Sequence, residues 1–314
     1  MELYQLRYFL AVAETGNFTK AAARSFISQP SLSQQILNLE EEFGQKLFHR
    51  MGRKAVLTEA GKTLVEGARR IFTDVDQTLQ DLKENTGVGP KVTVGAIPTV
   101  APFFFPAVLA HCRASEILLD IHTQEDFRRP LAEAVLDGQL DWALISLPFN
   151  EPRLHIDKLY SEPLWVAMSA SHSLAKAEHL TFESLRDENF ILLGEASTLT
   201  LQIQRFCGDH DFEPHISHRC AQLATAKSLT AMGLGITVLP KSARSATDPE
   251  GLIFRKFTGP EQPSREIALV RHRRRHLGAG ALLFAEVARA VVGPLPATGS
   301  TPPMVLPPAP PTTT

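Results

Sequence analysis

The segment that most constrains this chain is residues 29–40, which splits into two faces at helical spacing. Leu32, Ile36 and Leu39 recur at i, i+4, i+7, while Ser31, Gln34, Gln35 and Asn38 recur at i, i+3, i+4, i+7. A helix divided this way buries one stripe and offers the other to solvent or to a partner. Pro30 suits its first turn, where a missing N–H loses nothing. Upstream, Phe18–Arg24 forms a shorter helical pattern whose Ala21, Ala22 and Ala23 permit close helix–helix approach, and Phe26–Gln29 is the tight stretch between the two. Leu6, Phe9, Leu10 and Ala13 give an apolar face to a helix before both.

An ordinary surface helix also has a polar face, so the surroundings must decide. Phe48–Thr58 reads as a hairpin-like wing with Gly52 at its tip. Residues 46–62 carry Lys46, Arg50, Arg53, Lys54 and Lys62 against one acid, Glu59, on a chain of net charge −2. A local basic patch on a near-neutral chain fits site-specific nucleic-acid binding better than bulk coating. Gln and Asn pair bidentately with adenine, and Ser donates or accepts, so this polar face suits base edges in a major groove. The expected DNA contacts are Thr19, Gln29, Pro30, Ser31, Ser33, Gln34, Gln35 and Asn38 from the helix pair. Arg50, Arg53 and Lys54 of the wing would hold phosphates.

Four segments carry a family resemblance: Leu6-Arg7-Tyr8-Phe9, Gly16–Ala22, Ser28-Gln29-Pro30-Ser31-Leu32-Ser33 and Leu57-Thr58-Glu59-Ala60-Gly61. Together they resemble the winged helix-turn-helix of LysR-type transcription regulators, and the likeness continues more loosely to about residue 291. It implies a bacterial DNA-binding regulator that senses a small effector, works as a dimer or tetramer on an inverted-repeat promoter site, and contacts RNA polymerase.

The expected organisation is a winged helix-turn-helix at 1–62, a linker and dimerisation helix at 58–85, an effector-binding domain at 91–292 and a disordered tail at 293–314. Thr58 caps the long helix, whose Leu64, Ala68, Ile71, Val75, Leu79 and Leu82 are spaced 4, 3, 4, 4, 3, close to a coiled-coil seam. A helix packed on its own domain would show the same stripe. The family resemblance assigns it to subunit pairing, which demands a two-fold operator. Asn85–Pro90 is a hinge of turn-forming residues.

Beyond the hinge, strand and helix patterns alternate. Strands are expected at Lys91–Ile97, Ile117–Thr123, Trp142–Ser146, Leu164–Ser169, Phe190–Leu193 and Ile216–Cys220, in the run Gly233–Pro240 that turns into a buried strand, and at Ile267–Val270. Helices are expected to Arg113 and at Leu131–Leu140, Leu199–Gly208, Leu223–Met232 and Ala279–Val292. This is a two-lobed α/β domain of the periplasmic-binding-protein-like kind, lobe I about 91–162 and 267–292, lobe II about 163–266. Residues 294–314 hold 8 of the 22 prolines and cannot bury a core. The basic run Arg271–His276 lies between a strand and the last helix and reads as a solvated loop.

In such a fold small molecules bind between lobes, at strand ends and helix N-termini. Pro98 and Thr99 turn from a strand into a helix, where backbone N–H groups and a hydroxyl can hold an anion; simple capping by Thr99 is the alternative. Arg128 precedes the Leu131 helix, as a carboxylate clamp or a plain surface residue. Ser146 ends a strand, and Ser197 and Thr198 precede the Leu199 helix.

Ile97–Pro102, Asp137–Asp141 and Leu192–Cys207 most resemble the peroxide-sensing OxyR branch of the family. That branch uses a reactive and a resolving cysteine in the last segment. Cys207 falls at the second position, but Thr198 occupies the first and forms no thiolate. A redox switch through Cys207 or Cys220 stays as the alternative to a small anionic effector. Cys207, His210, His215, His218 and Cys220 crowd one segment, yet their spacing matches no closed zinc motif, so no metal or other cofactor is expected.

Other classes are disfavoured. There is no nucleophile elbow, phosphate loop or metal signature to mark an enzyme. A ligand-binding protein with an incidental helix-turn-helix would tolerate loss of the wing cations. No run is long and apolar enough to span a membrane. Glu2 and Arg7 interrupt any leader, and three cysteines give no disulfide framework. A cytoplasmic, DNA-associated protein is therefore expected.

Overall fold

The computed structural model describes residues 1–51, 54–81, 89–259 and 262–293. The chain falls into two compact units, one of Met1–Lys83 with Leu136–Gln139 and one of the remainder.

In the first unit α1 (Leu3–Thr15), α2 (Phe18–Arg24) and α3 (Gln29–Phe43) precede a hairpin of β1 (Phe48–Met51) and β2 (Lys54–Leu57), and α4 (Glu59–Asp81) follows. Each boundary has a local cause. Asn17 Oδ1 accepts the Lys20 N–H at 3.0 Å, Ser28 Oγ accepts the Ser31 N–H at 3.2 Å, and Thr58 Oγ1 accepts the Gly61 N–H at 3.0 Å. Gly44, at φ 63°, stops α3. Leu32, Ile36 and Leu39 of α3 are fully buried against Leu6, Phe9 and Val12 of α1 and Ala21 and Ala22 of α2. On α1, Gln5, Ala11 and Val12 are buried with Leu6 and Phe9, and Leu10 and Ala13 lie only at the margin. The buried arc is wider than the sequence stripe because α2, α3 and α4 all pack on this helix.

Glu40 pins the end of α3 to the wing. Its carboxylate accepts from the Leu47 and Phe48 N–H groups at 2.9 and 3.3 Å and from Lys46 Nζ at 2.9 Å. Burial pushes its pKa up, but the Lys46 pair and the two amide donors together outweigh this and hold it below the usual carboxylate value.

The stripe on α4 divides. Ala68 is sealed inside the head's own core, with Leu64 and Ile71 packed beside it. For Ala68 the expectation of an inter-subunit contact is corrected, because a 4-3 stripe reads the same for packing within a domain as for a seam. Val75 is half-buried and Leu79 exposed, so they remain open to a partner. Leu82, the hinge to residue 88 and the tail from residue 294 lie outside the described residues.

The second unit opens with β3 (Lys91–Ala96), α5 (Ala101–Ala114), β4 (Asp120–Glu125), α6 (Arg128–Leu136) and β5 (Trp142–Ser146). The strand β6 (Leu154–Ser169) leads to β7 (Asn189–Leu193), α7 (Thr198–Asp209), β8 (His215–Cys220), α8 (Leu223–Ala231), β9 (Thr237–Pro240) and β10 (Leu252–Lys256). Then β11 (Ser264–His272) and α9 (Ala279–Val292) follow. In lobe I, β3 lies between parallel β4 and β5, and antiparallel β11 joins β5 to β6. Trp142 Nε1 donates to the Ala281 carbonyl at 2.7 Å, fastening α9 back onto lobe I. In lobe II, β6 pairs with β9 and β10, while β7 pairs in parallel with β8 and bridges to Ile236.

Four expectations shift. The strand expected at Leu164–Ser169 is only the second half of a 16-residue strand, whose first half belongs to lobe I. The helix expected at Leu131–Leu140 is α6, so Arg128 is its first residue rather than a loop residue. The strand placed at Ile117–Thr123 is β4, and β10 had no local signal. In the run expected as a solvated loop, Arg271 and His272 end β11, and the nearly buried Arg275 side chain pairs with Asp141 at 3.4 Å; Arg273, Arg274 and His276 are exposed. Strand ends and basic stems that lie along a core surface leave no periodic trace. No helix among the described residues is long and apolar enough to cross a membrane.

Candidate DNA-reading face and effector pocket

On α3 the residues opposite the buried stripe stand in two ridges one turn apart. Gln29 Nε2 donates to Ser33 Oγ at 2.8 Å, and Gln34 Nε2 donates to Asn38 Oδ1 at 2.9 Å. Ser28 and Ser31 hydroxyls lie 2.7 Å apart at the cap. Gln29, Pro30, Ser31, Gln34 and Asn38 are exposed and Ser33 is half-buried. Neighbouring side chains thus hold one another in place before any partner arrives. Gln35 departs from the expected reading set: it is half-buried, and its Oε1 accepts from Gln5 Nε2 at 3.0 Å, turning it toward α1. The first turn of α3 holds no acid, while Glu40, Glu41 and Glu42 sit at its far end, so the positive end of the helix is free to meet an anion. Thr19 is exposed on α2, and Lys54 is exposed on β2. The side chain of Arg50, and Gly52 and Arg53 entirely, lie outside the described residues.

The second site follows from sheet order. The chain leaves β3 toward β4 on one side and returns to β5 on the other; it leaves β7 toward β8 and returns at Ile236. Each reversal opens a crevice beyond the carboxyl ends of the strands. The two crevices meet in a cavity of about 170 Å³ lined by Ile97, Pro98, Thr99, Phe127, Arg128, Leu193, Gly194, Ala196, Ser197, Thr198 and Ala221. Five expected residues, Pro98, Thr99, Arg128, Ser197 and Thr198, therefore come together. Ser146 lies just behind them, its Oγ donating to Thr198 Oγ1 at 2.6 Å.

The sequence did not single out Arg265 and Glu162. Arg265 is 1% exposed. Its Nη1 donates to Thr99 Oγ1 at 2.6 Å and its Nη2 to the Thr99 carbonyl at 2.9 Å. It pairs with Glu162 at 2.7 Å, and Glu162 Oε2 accepts the Ser242 N–H at 3.2 Å. The two are cross-strand partners where β6 and β11 pass between lobes. Thr99 is therefore held by an arginine and does not cap α5, whose N-cap is Val100 without a side-chain cap. Because each hydroxyl oxygen already accepts one bond, the protons of Thr99 and Thr198 remain to be donated.

Arg128 is half-buried over the Phe149 ring, 5.2 Å from its centroid, and donates to the Pro148 and Ser146 carbonyls at 2.9 and 3.3 Å. Desolvation lowers its pKa from the usual arginine value, and it remains a cation at the cavity wall. Ser197 is the N-cap of α7 and makes no side-chain capping bond, so the first amides of that helix are not capped by it.

The cysteines are elsewhere in character. Cys207 is fully buried in the lobe II core, and burial pushes its thiol up to about 12; Cys220 and Cys112 are buried and raised for the same reason. Among the described residues no three His, Cys, Asp or Glu side chains are grouped to hold a metal.

The helix-turn-helix and the two-crevice domain have matching family models. Residues 3–62 match the bacterial regulatory helix-turn-helix of the lysR family, and residues 85–293 match the LysR substrate binding domain. The chain belongs to the LysR family. This LysR regulator is 30% identical over 308 residues to the uncharacterized HTH-type transcriptional regulator YcgK of Bacillus subtilis, covering 92% of this chain and 94% of that one. It is 31% identical to the DNA-binding transcriptional dual regulator OxyR of Escherichia coli, over 86% of this chain and 89% of OxyR. Among solved structures, full-length OxyR from Pseudomonas aeruginosa superposes with TM-score 0.67 at 28% identity, covering 92% of this chain and 94% of that one. The protein is thus a DNA-binding transcription regulator with an effector-binding domain, and the OxyR-like resemblance drawn from Ile97–Pro102 and Leu192–Cys207 holds across the chain.

Proposed function

We propose that this LysR regulator reads an inverted-repeat promoter site with the N-terminal end of α3 and is controlled by a small anion in the Thr99–Arg128–Thr198 pocket. The observation that carries the reading is the set of donors gathered at a largely apolar cavity: Thr99 and Thr198 have hydroxyl protons to give, Arg128 is a partly desolvated cation, and α7 begins there uncapped by Ser197. Such a site stabilises a carboxylate or other oxyanion and leaves a donor group unpaired. At about 170 Å³ it is smaller than the roughly 300–1,000 Å³ of drug-sized sites, which favours a ligand of few heavy atoms. Val75 and Leu79 of α4 pair two subunits, as dimer or tetramer, and the regulator works beside RNA polymerase in the cytoplasm, where its DNA lies.

Ligand binding to the folded state alone raises the melting temperature by mass action. A panel of small carboxylates, phosphates and sulfur oxyanions should contain at least one that raises Tm in the unsubstituted protein. Thr99→Ala and Arg128→Ala should each lose that shift. A shift that survives both substitutions would place the ligand elsewhere, and no shift with any oxyanion would sink the proposal.

The redox alternative, drawn from OxyR, has less support. Thr198 cannot form a thiolate, and Cys207 is buried with a raised pKa, the opposite of a reactive thiol.

A further inference from the structure

Among the described residues of the head Phe26 is by far the most exposed aromatic side chain, with Tyr4 at 48% and Phe43 at 39%. Phe26, in the turn between α2 and α3, is 95% exposed and sits at φ 56°. The turn explains the backbone: the Phe26 N–H donates to the Ala23 carbonyl at 3.2 Å and the Ile27 N–H to the Ala22 carbonyl at 3.1 Å. It does not explain the ring, since Gly or Asn adopts the left-handed region with less strain and gives up no apolar surface to water. Nor does Phe26 belong to a broad apolar patch of the sort protein partners use. The head's other exposed apolar residues include Met1, Leu3 and Phe43 at the opposite end of α3, where the Met1 amine pairs with Glu42 at 2.7 Å. Phe26 stands instead two residues before Ser28, the N-cap of α3, at the acid-free end.

We propose that Phe26 is a DNA contact, an apolar wedge that packs against deoxyribose or a thymine methyl beside the groove that α3 reads. The proposal rests on the reading of α3 as the helix that enters the groove. An aromatic ring there adds apolar contact without charge, and thymine methyls are its natural partners among base edges. Loss of the ring should weaken binding without changing its salt dependence, unlike loss of a phosphate-holding cation.

The test uses the full-length protein, a duplex enriched from a random pool by the unsubstituted protein, and an unrelated duplex of equal length. Phe26→Asn tolerates the left-handed backbone, so Tm should hold or rise slightly while Kd on the enriched duplex weakens roughly three- to tenfold. Phe26→Tyr should keep most of the affinity. Uracil substitution separates the two sources of contact. If a thymine methyl is the partner, one thymine-to-uracil change weakens the unsubstituted protein but not Phe26→Asn. If deoxyribose is the partner, no uracil does so and the loss extends to the unrelated duplex. Unchanged affinity of Phe26→Asn on both duplexes overturns the proposal, as does a Tm drop of several degrees, which would make the ring structural. Loss of transcriptional output with intact DNA affinity overturns it too, in favour of a protein partner. Gln34→Ala is the companion measurement. If it weakens binding while Phe26→Asn does not, only the Phe26 assignment falls; if neither does, the reading of α3 falls with it.

Discussion

The α3 face and the Thr99–Arg128–Thr198 pocket use the same kinds of side chain in opposite ways. On α3, Gln29 with Ser33 and Gln34 with Asn38 are partners four positions apart, in solvent. In the pocket, Thr99 and Arg265 are 166 positions apart, Arg265 and Glu162 are 103, and Ser146 and Thr198 are 52, all buried. The exposed set leaves stability nearly indifferent to its identity and is free to specialise for a partner. The buried set is bound into the fold, so a change that alters ligand binding there also alters the folded state.

The sharpest way to break this contrast is at the crossing of β6 and β11. Arg265→Met would leave the buried Glu162 without its cationic partner and should cost about 3–5 kcal/mol in urea unfolding; adding Glu162→Leu should recover most of that loss. A cost below about 1 kcal/mol would mean that the Arg265–Glu162 pair is not integral to the fold. On the exposed side, Gln34→Ala should lose about 1–3 kcal/mol of binding on the enriched duplex and little on unrelated DNA, with stability unchanged within about 0.5 kcal/mol. Equal loss on all sequences would remove Gln34 from base readout.

Glu40 is the exception that sharpens the comparison, a buried carboxylate in the otherwise locally organised head. Its folded pKa lies below the usual carboxylate value, so it stabilises the head above the unfolded value and loses that contribution as pH falls through the folded one. Thermal unfolding of the head between neutral and acid pH should therefore show a decline that Glu40→Gln makes shallower. A pH profile identical in the two proteins would show that the carboxylate's partners do not favour its charge.

The smallest effect is expected at Cys207. Peroxide should leave DNA affinity unchanged, and a thiol reagent should label Cys207 only as fast as the protein opens. Rapid labelling of the folded protein, or a peroxide-dependent change lost in Cys207→Ser, would restore the redox reading.

Legibility followed distance along the chain. The strands that end at the pocket and the span and buried stripe of α3 could be read from patterns a few residues long, while Thr99 and Arg128 were pointed to as cleft residues by the family resemblance. Gln35 was misread because helical spacing places it beside Gln34 but does not reveal that Gln5 reaches it from α1. Ala68 was misread because a stripe names a buried face without naming what covers it. The first half of β6 escaped notice because Leu154–Ser161 alternates too weakly to stand out before it crosses between lobes.

By itself, then, the sequence determined the cap at Thr58, the two faces of α3, the alternation of strand and helix, and membership of the LysR family. These are relations among neighbours, or between this chain and others like it. Only the tertiary structure decided that Arg265 and Glu162 meet at the crossing of β6 and β11, that Thr99 accepts from Arg265 rather than capping α5, and that half of the α4 stripe serves its own head. Those contacts depend on strand order, register and helix packing, which bring together residues whose separation along the chain no local period encodes.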